Sequence, residues 1–408
     1  MNHTLQCCRI CGNHDLQPVL HFGQTPLANA LLCESQLDQP QPRYDLNLVF
    51  CPNCSLVQID MTVSPEKLFS EYPYFSSFSD TMVCHARDLA HQIIKQKKLN
   101  ADSLVIEPAS NDGYLLQHYQ QAGINVLGIE PAANVAKVAN EKNINTMIAF
   151  FSFDFATHLA NQGKQADVIH AHNVLAHVAD INGFVQGIAT LLKDDGTFIL
   201  EVPYVRDMVD HVEFDTIYHE HLCYFSVTSL DHLFRQHNLF IESVQHLPLH
   251  GGTIQVHVTT VNKPDHSVRQ MLDQEKQAGI DTFGYYSQFA SQVQKLKEDL
   301  LKMLSQFKSQ GADIAAYGAS AKGSTLLNYA KIGGQFLDFV VDRSTHKQGL
   351  YTPGTHLPIL PPEALMQQKP DYVLLLTWNF AKEILSQQQD YRDQGGKFII
   401  PVPSPHVV

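Results

Sequence analysis

The sequence predicts an α/β protein. A doubly wound sheet fills the middle of the chain, a small cysteine-rich module precedes it, and a second α/β unit follows. Three observations carry this. From residue 103 short apolar runs alternate with helical patterns, the same alternation resumes near 311, and four of the eight cysteines form two C-x2-C pairs close to the N-terminus. A chain of 408 residues suits two to four domains. We expect three, over residues 1–70, 71–262 and 263–408.

Hydrophobic residues make up 44% of the chain and charged residues 17%, the balance of a globular protein. Twenty-eight basic against 41 acidic residues leave a net charge of −13, which argues against binding nucleic acid through general phosphate attraction. No run approaches 18 apolar residues, so no membrane partner is expected. The first residues, MNHTLQCCRI, lack a basic stretch followed by an apolar one, and a cytoplasmic location is expected.

The knuckles are Cys8-Arg-Ile-Cys11 and Cys51-Pro-Asn-Cys54. Each C-x2-C turn sets two sulfurs on one side of a tight loop, and two such turns close a four-sulfur shell around a structural zinc ion. The gap between the knuckles is longer than in a usual zinc ribbon, and Cys7 is an alternative to Cys8. Disulfides are disfavoured in the cytosol. Cys33, Cys84 and Cys223 have no partner spacing and read as ordinary thiols.

A helix is expected near 80–98, ending in the basic residues Lys95, Lys97 and Lys98, which suit the negative end of its dipole. Strands are then expected at 103–107, 125–130, 167–171 and 197–202, with helices opening at Gly113 and over 134–142. Later strands are expected at 240–246 and 253–260, either side of Gly251-Gly252. The whole sheet reads as parallel. Residues 266–309 read as a bridging helical segment. Beyond 311, strands are expected at 313–317, 337–341, 372–376 and 397–400, with a tight loop at 318–323 and a helix over 324–331.

The most informative stretch is Glu107-Pro-Ala-Ser-Asn-Asp-Gly113, directly after a buried strand. That position is the carboxyl edge of the sheet, where doubly wound folds bind nucleotides. Neither G-x-G-x-x-G nor a phosphate loop is present. An acidic residue leading into small residues suits a cationic ligand without phosphates, and S-adenosylmethionine is one. Glu107 and Asp112 are expected to orient its amino and sulfonium end, and Ala109, Asn111 and Gly113 of the same loop are expected to bind the cofactor with them. Glu130, ending the next strand, is expected to accept the ribose hydroxyls.

The two knuckles, the Tyr72–Ser79 segment, the Ser-Asn-Asp-Gly loop and Ile217-Tyr-His-Glu-His221 together resemble the bacterial sugar C-methyltransferases. The resemblance runs over nearly the whole chain, with Gly318-Ala-Ser-Ala-Lys-Gly323 and Val341-Asp-Arg343 in its last third. It implies a class I methyltransferase Rossmann-like sheet, an N-terminal zinc-binding module and a C-terminal Rossmann-like α/β domain. It also implies a nucleotide-linked keto-deoxysugar as substrate. One departure is Glu107-Pro108-Ala109, where the family usually has an aliphatic residue and a small one. Pro108 removes an N–H from the loop.

His211, Glu213, Asp215, Tyr218, His219, Glu220 and His221 crowd into eleven residues. A catalytic metal site would want His-Glu-x-x-His spacing, which is absent, and a solvated polar loop is the plainer alternative. Methylating carbon first requires loss of a proton, and a neighbouring ketone makes that proton acidic. His221 is the expected base, because imidazole titrates near operating pH. Glu220 is expected to orient it, and Tyr218 to hydrogen-bond the developing enolate. The resemblance supports these three positions, and His219 is not expected to act.

His177 is expected near the methyl-transfer point, against the alternative of a satisfied core histidine. Asn173, in the same loop, is expected to touch cofactor or sugar, and Tyr74 and His250 are weaker pocket candidates. The diphosphate of such a substrate needs a local anion site. Small residues and a helix start at 318–323, with Ser320 and Lys322, provide one, and Arg343 is a second phosphate or base contact.

Two other readings compete. An O- or N-methyltransferase on another small metabolite would have no need of an α-proton base. A zinc-ribbon interaction protein with a vestigial cofactor fold would bind no cofactor. The sequence leaves the nucleotide base, the sugar, the stereochemistry and the oligomeric state open, with a monomer plausible.

Overall fold

The computed structural model describes residues 3–69, 75–249 and 251–408. Tyr74 and His250 therefore lie outside the described residues. Three main sheets organise the chain.

The N-terminal sheet is antiparallel. Gln17–Thr25 pairs with Tyr44–Phe50, which pairs with Val57–Ile59. Its fourth strand is Cys223–Tyr224, from far along the chain, which pairs with Val57–Ile59. Leu46, Leu48 and Phe50 alternate inward on the middle strand, as a sheet with one packed face requires.

The central sheet has seven strands. From one edge they run Phe240–Leu247, Thr253–Thr259, Leu192–Pro203, Ala166–His172, Leu104–Pro108, Asn125–Ile129 and Thr146–Met147. The five from Leu192–Pro203 to Thr146–Met147 are parallel and read as continuous apolar runs, because helices cover both faces. Val105, Ile106, Val168, Ile169, Phe198, Ile199 and Leu200 are all fully buried.

The reading of a wholly parallel sheet is corrected at one edge. Thr253–Thr259 runs antiparallel to both its neighbours. The short turn joining it to Phe240–Leu247 can only reverse the chain, since a parallel return needs a crossover of a dozen residues or more. Gly251 and Gly252 take that turn at φ of +96° and +127°.

From Leu104–Pro108 the chain winds outward to one side, then crosses back to Ala166–His172 on the other. The order reverses between these two strands, and that crevice is where a doubly wound sheet opens for a ligand.

The 266–309 segment is two helices, His266–Ala278 and Phe283–Ser309, broken by Gly279 at φ of +79°. The first is fastened to the central unit by a buried carboxylate. Glu275 accepts from the backbone N–H groups of Val227 and Thr228, the Thr228 hydroxyl and the Tyr204 hydroxyl. It thus satisfies orphan donors at the start of the Val227–Gln236 helix, where negative charge is also favoured.

The last sheet orders Ile359–Leu360, Val340–Val341, Ile314–Tyr317, Tyr372–Leu375, Lys397–Ile400 and His406–Val407, parallel except for the final strand. The helix after Ile314–Tyr317 begins at Ala321, inside the expected loop. Ser320 caps it by accepting from the Gly323 N–H at 3.1 Å.

Gly113 closes the loop after Leu104–Pro108 at φ of +77°, and a Cβ there would sit 2.3 Å from Ile144 Cδ1. Gly113→Ala should therefore lower stability by about 1–3 kcal/mol, from the left-handed backbone and the overlap together. Urea unfolding checks this, and an unchanged midpoint would mean that the loop can reshape freely.

Candidate active site

A cavity of about 840 Å³ lies along the carboxyl edge of the central sheet, toward the upper end of the range for ligand pockets. All three parts of the chain wall it. Pro65 and Glu66 come from the N-terminal part. The loops carrying Ala109, Glu130 and Asn173 form one end, Tyr218 and His221 line its wall, and Lys322 and Thr377 come from the C-terminal unit.

At the cofactor end, the 107–113 loop is wound tightly. Ala109 and Asn111 both take positive φ, at +54° and +50°. The Ala109 N–H reaches the Ile129 carbonyl at 2.7 Å, which binds the loop to the next strand. Glu130 lines the cavity. Its Oε2 accepts from the Asn111 N–H and its Oε1 from the Ala132 N–H, both at 2.9 Å. Each oxygen retains a lone pair for a hydroxyl. Burial raises its pKa, against those two N–H groups.

Glu107 lies beneath the loop and outside the cavity lining. It is fully buried, its Oε2 has no hydrogen-bond partner, and burial beside Glu130 and Asp112 pushes it well above the usual carboxylate range. A buried acid without a partner, under a loop of small residues, fits a ligand that brings positive charge. Asp112 is placed differently from expectation. Its Oδ2 pairs with Lys142 at 3.1 Å, so it braces the loop from behind and does not line the cavity. Asn173, at φ of +53°, lines the cavity, and its N–H donates to the Glu201 carbonyl at 2.8 Å.

A polar chain that sequence reasoning missed lies behind this end. The Tyr119 hydroxyl meets His170 Nε2 at 2.8 Å, and His170 Nδ1 meets His172 Nε2 at 3.0 Å. His172 Nδ1 lies 3.1 Å from Glu201 Oε2, and Glu201 Oε1 is 2.7 Å from both His85 Nε2 and Gln255 Nε2. Burial alone would raise the Glu201 carboxyl, but His172 and His85 hold it well below the usual range. His172 reaches the cavity wall. Two signals were available: His170 and His172 alternate onto one face of a buried strand, and Glu201 interrupts an apolar one.

At the other end, the His221 ring is fixed by two contacts. Nδ1 lies 2.9 Å from the Thr216 carbonyl, which can only accept, so Nδ1 carries the hydrogen and Nε2 the lone pair. Nε2 faces the Tyr218 hydroxyl at 2.9 Å. Burial first, and then the neighbouring His177 ring 4.9 Å away, lower the His221 pKa to about 3. Burial lowers His177 to about 4, against the carbonyls of Glu220 and Asn173. His177 Nδ1 meets the Glu220 carbonyl at 2.7 Å. His177 is thus held by the backbone, while His221 presents an unprotonated acceptor nitrogen. Glu220 does not line the cavity, and its Oε1 accepts from Asn29 at 2.7 Å. His219 is buried against the Asp45 carbonyl.

The anion loop is narrower than expected. The N–H of Gly318 donates to Val341, that of Ala319 to the Asp342 carboxylate, and that of Gly323 to Ser320. What it offers the cavity is Ser320 and Lys322. Lys322 Nζ lies 3.4 Å from Glu213 Oε2 and 4.8 Å from the Trp378 ring centre. Trp378 Nε1 in turn donates to the buried Asp215 at 2.6 Å. Arg343 lies elsewhere: it is 65% exposed, beside Glu383, and does not line the cavity. Glu383, on the helix Ala381–Gln387 that follows the strand Tyr372–Leu375, draws the guanidinium outward.

All eight cysteines are free thiols. The sulfurs of Cys8, Cys11, Cys51 and Cys54 lie within 4.8 Å of one another, with pairs at 3.4 and 3.6 Å. Tetrahedral zinc with Zn–S bonds of about 2.3 Å separates its sulfurs by roughly 3.8 Å, so the shell fits the ion. Four thiolates leave no open position, and the site is structural. Among the described residues, no helix is long and apolar enough to cross a membrane.

A topological crevice, a carboxylate at the second strand end and an unpartnered acid under a small-residue loop define an S-adenosylmethionine-dependent methyltransferase. Family models match in three places: "Putative zinc binding domain" at residues 8–69, "Methyltransferase domain" at 83–244 and "C-methyltransferase C-terminal domain" at 248–403. The C-methyltransferase NovU of Streptomyces niveus is 35% identical over 405 residues, covering 98% of this chain and 96% of its own. The chain belongs to this C-methyltransferase family. A ubiquinone biosynthesis O-methyltransferase of Bartonella tribocorum is 32% identical over 95 residues, 22% of this chain and 38% of its own. Among solved structures, magnesium protoporphyrin IX methyltransferase of Synechocystis, with SAH bound, is 13% identical. It covers 44% of this chain and 83% of its own, at a TM-score of 0.35.

Neutral His221 is the form that accepts a proton. Its lowered pKa means this form persists as pH falls, and is lost only near about 3. The kcat/KM profile should therefore show no loss from this group between pH 8 and about 5. An acid limb near 6.5 would show a solvent-exposed imidazole instead.

Proposed function

We propose that the chain methylates the carbon next to the ketone of a nucleotide-linked 4-keto-deoxysugar, at C3, in the cytoplasm. We read it as three working units, over residues 1–70, 71–262 and 263–408. The observation that carries the reading is the neutral His221 imidazole, with Nε2 as acceptor, on the wall of a cavity shared with the cofactor loop. A base could also serve transfer to a hydroxyl oxygen, but only transfer to carbon requires loss of a carbon-bound proton, which exchange at the α carbon reads out.

S-adenosylmethionine, when bound, supplies an electrophilic methyl group. The chain's residues do the rest. His221 Nε2 takes the proton from the carbon beside the ketone, and the electron pair moves toward the keto oxygen. Tyr218, whose O–H meets Nε2 before substrate enters, is then released to donate to that oxygen and hold the enolate. The enolate carbon held this way is the nucleophile to which the cofactor would supply its methyl group, the sulfur leaving as a neutral thioether. His177, Asn173 and the aliphatic walls keep sugar and cofactor aligned and water out.

Ser320 and Lys322 support a place for the diphosphate. Glu213 pairs with Lys322 at 3.4 Å, and a diphosphate would compete with it for the ammonium. Arg343, exposed beside Glu383, drops out of this part of the reading.

Incubation with labelled cofactor and a panel of nucleotide-linked 4-keto-deoxysugars tests the reading, with solvent-proton exchange at the α carbon as a second readout. His221→Asn should abolish exchange and lower methylation by about 10²–10⁴-fold. Full activity in that variant, or methylation without exchange, would point to transfer onto oxygen or nitrogen. Lys322→Met should raise KM for the sugar about tenfold and leave kcat within about twofold, having removed uniform binding.

A further inference from the structure

We infer that the N-terminal zinc module is part of the catalytic apparatus: it holds the loop carrying His221 in place, and Asn29 is a positioning residue for that loop. The inference rests on His221 acting as the base.

The loop from Ile217 to Leu222 has no helix or strand of its own. A chain segment of that kind keeps one geometry only if neighbours fix it. The ring itself is held locally by Thr216 and Tyr218, but the residues on either side of His221, from His219 to Tyr224, are anchored on the module and on the neighbouring His177 turn. His219 Nε2 meets the Asp45 carbonyl at 3.2 Å, and its ring packs edge-on against Tyr44. Glu220 Oε1 accepts from Asn29 Nδ2 at 2.7 Å. The Leu222 carbonyl accepts from the Ile59 N–H at 3.0 Å, and its N–H donates to the Ala176 carbonyl at 2.7 Å. Cys223 and Tyr224 then run as the fourth strand of the module's own sheet.

The path from the sulfurs to the base is short. Val57–Ile59, the strand that Cys223–Tyr224 joins, starts three residues after Cys54, and the Cys51 N–H donates to the Leu56 carbonyl. Gln58 ties this strand to the first knuckle. Its Oε1 accepts from the Arg9 N–H at 2.9 Å, and its Nε2 donates to the Cys7 carbonyl at 3.3 Å. Closing the four-sulfur shell thus fixes the strand on which the base loop is built.

Asn29 is the side chain that reaches furthest. It comes from the segment between the first two strands of the module, and touches a carboxyl that neither lines the cavity nor meets substrate. Glu220's own carbonyl receives His177 Nδ1. Asn29 therefore orders both imidazoles through one residue. Misplacement of a base by about 1 Å is enough to cost a large factor in rate.

Asn29→Ala should lower kcat about tenfold, leave cofactor binding by calorimetry within about twofold, and speed backbone hydrogen exchange over residues 217–224. Asn29→Asp sets two carboxyls face to face, so its deficit should shrink as pH falls from 8 to about 6 and one of them takes a proton. Extracting the metal with a chelator should slow α-proton exchange while cofactor still binds. Wild-type kcat and wild-type hydrogen exchange in Asn29→Ala would overturn the inference, and this arm decides alone if metal removal unfolds the chain. Loss of activity in His221→Asn beside a fully active Asn29→Ala would sink the positioning role only. An active His221→Asn would sink the base reading beneath it.

Discussion

The contact of His221 Nδ1 with the Thr216 carbonyl decides the chemistry open to this site. A carbonyl can only accept, so the hydrogen stays on Nδ1 and the lone pair on Nε2. Burial then keeps the ring neutral across the working pH range. Neither effect suffices alone. An imidazole with the other tautomer would present a donor to the substrate, and an exposed one would be partly protonated. The surrounding structure keeps that ring buried and oriented. The central sheet brings the cofactor loop to the same cavity, and the flanking units close it.

Much of this was legible in the sequence because local patterns carried it. The buried strands read as apolar runs, and the two C-x2-C turns needed only their spacing. Glu130 was visible as the acid at the end of the second strand. What the sequence hid was orientation. Asp112 looked like a cofactor ligand, but Lys142, at the end of the helix Ala133–Glu141, turns its carboxylate backward. Arg343 follows a strand at the right edge, yet Glu383 draws it to the surface. Glu220 sits between two working residues and points away from the cavity, toward Asn29. Such outcomes depend on partners distant in the chain, which no local pattern records. The antiparallel edge was hidden for a related reason, since alternating strands and helices do not reveal where a hairpin replaces a crossover.

Charge is arranged locally against the overall balance. The chain carries 13 more acidic than basic groups, and Glu107, Glu201, Glu213 and Asp215 are all buried near the cavity. Burial raises Glu107, Glu213 and Asp215, while imidazoles hold Glu201 charged. Glu107 and Glu201 lie at the cofactor end, which suits a cation, while Glu213 and Asp215 lie beside Lys322. Lys322 stands at the opposite end, stacked on Trp378. The two ends of one cavity thus differ: charged Glu201 stands behind the cofactor loop, and an ammonium paired with Glu213 stands at the other end.

The Glu275 carboxylate bears on how separable the parts are. It comes from a helix beyond the methyltransferase sheet, yet it satisfies two backbone N–H groups and two hydroxyls on that sheet's side. A chain ending before His266 would keep every strand of the central sheet and still leave those donors unmet, each at about 1–3 kcal/mol where it stays buried. One of them is Tyr204, a wall residue of the cavity. The methyltransferase unit is accordingly not a portable cassette. Its sheet is complete in itself, but its surface and its pocket are finished by residues of the segments on either side.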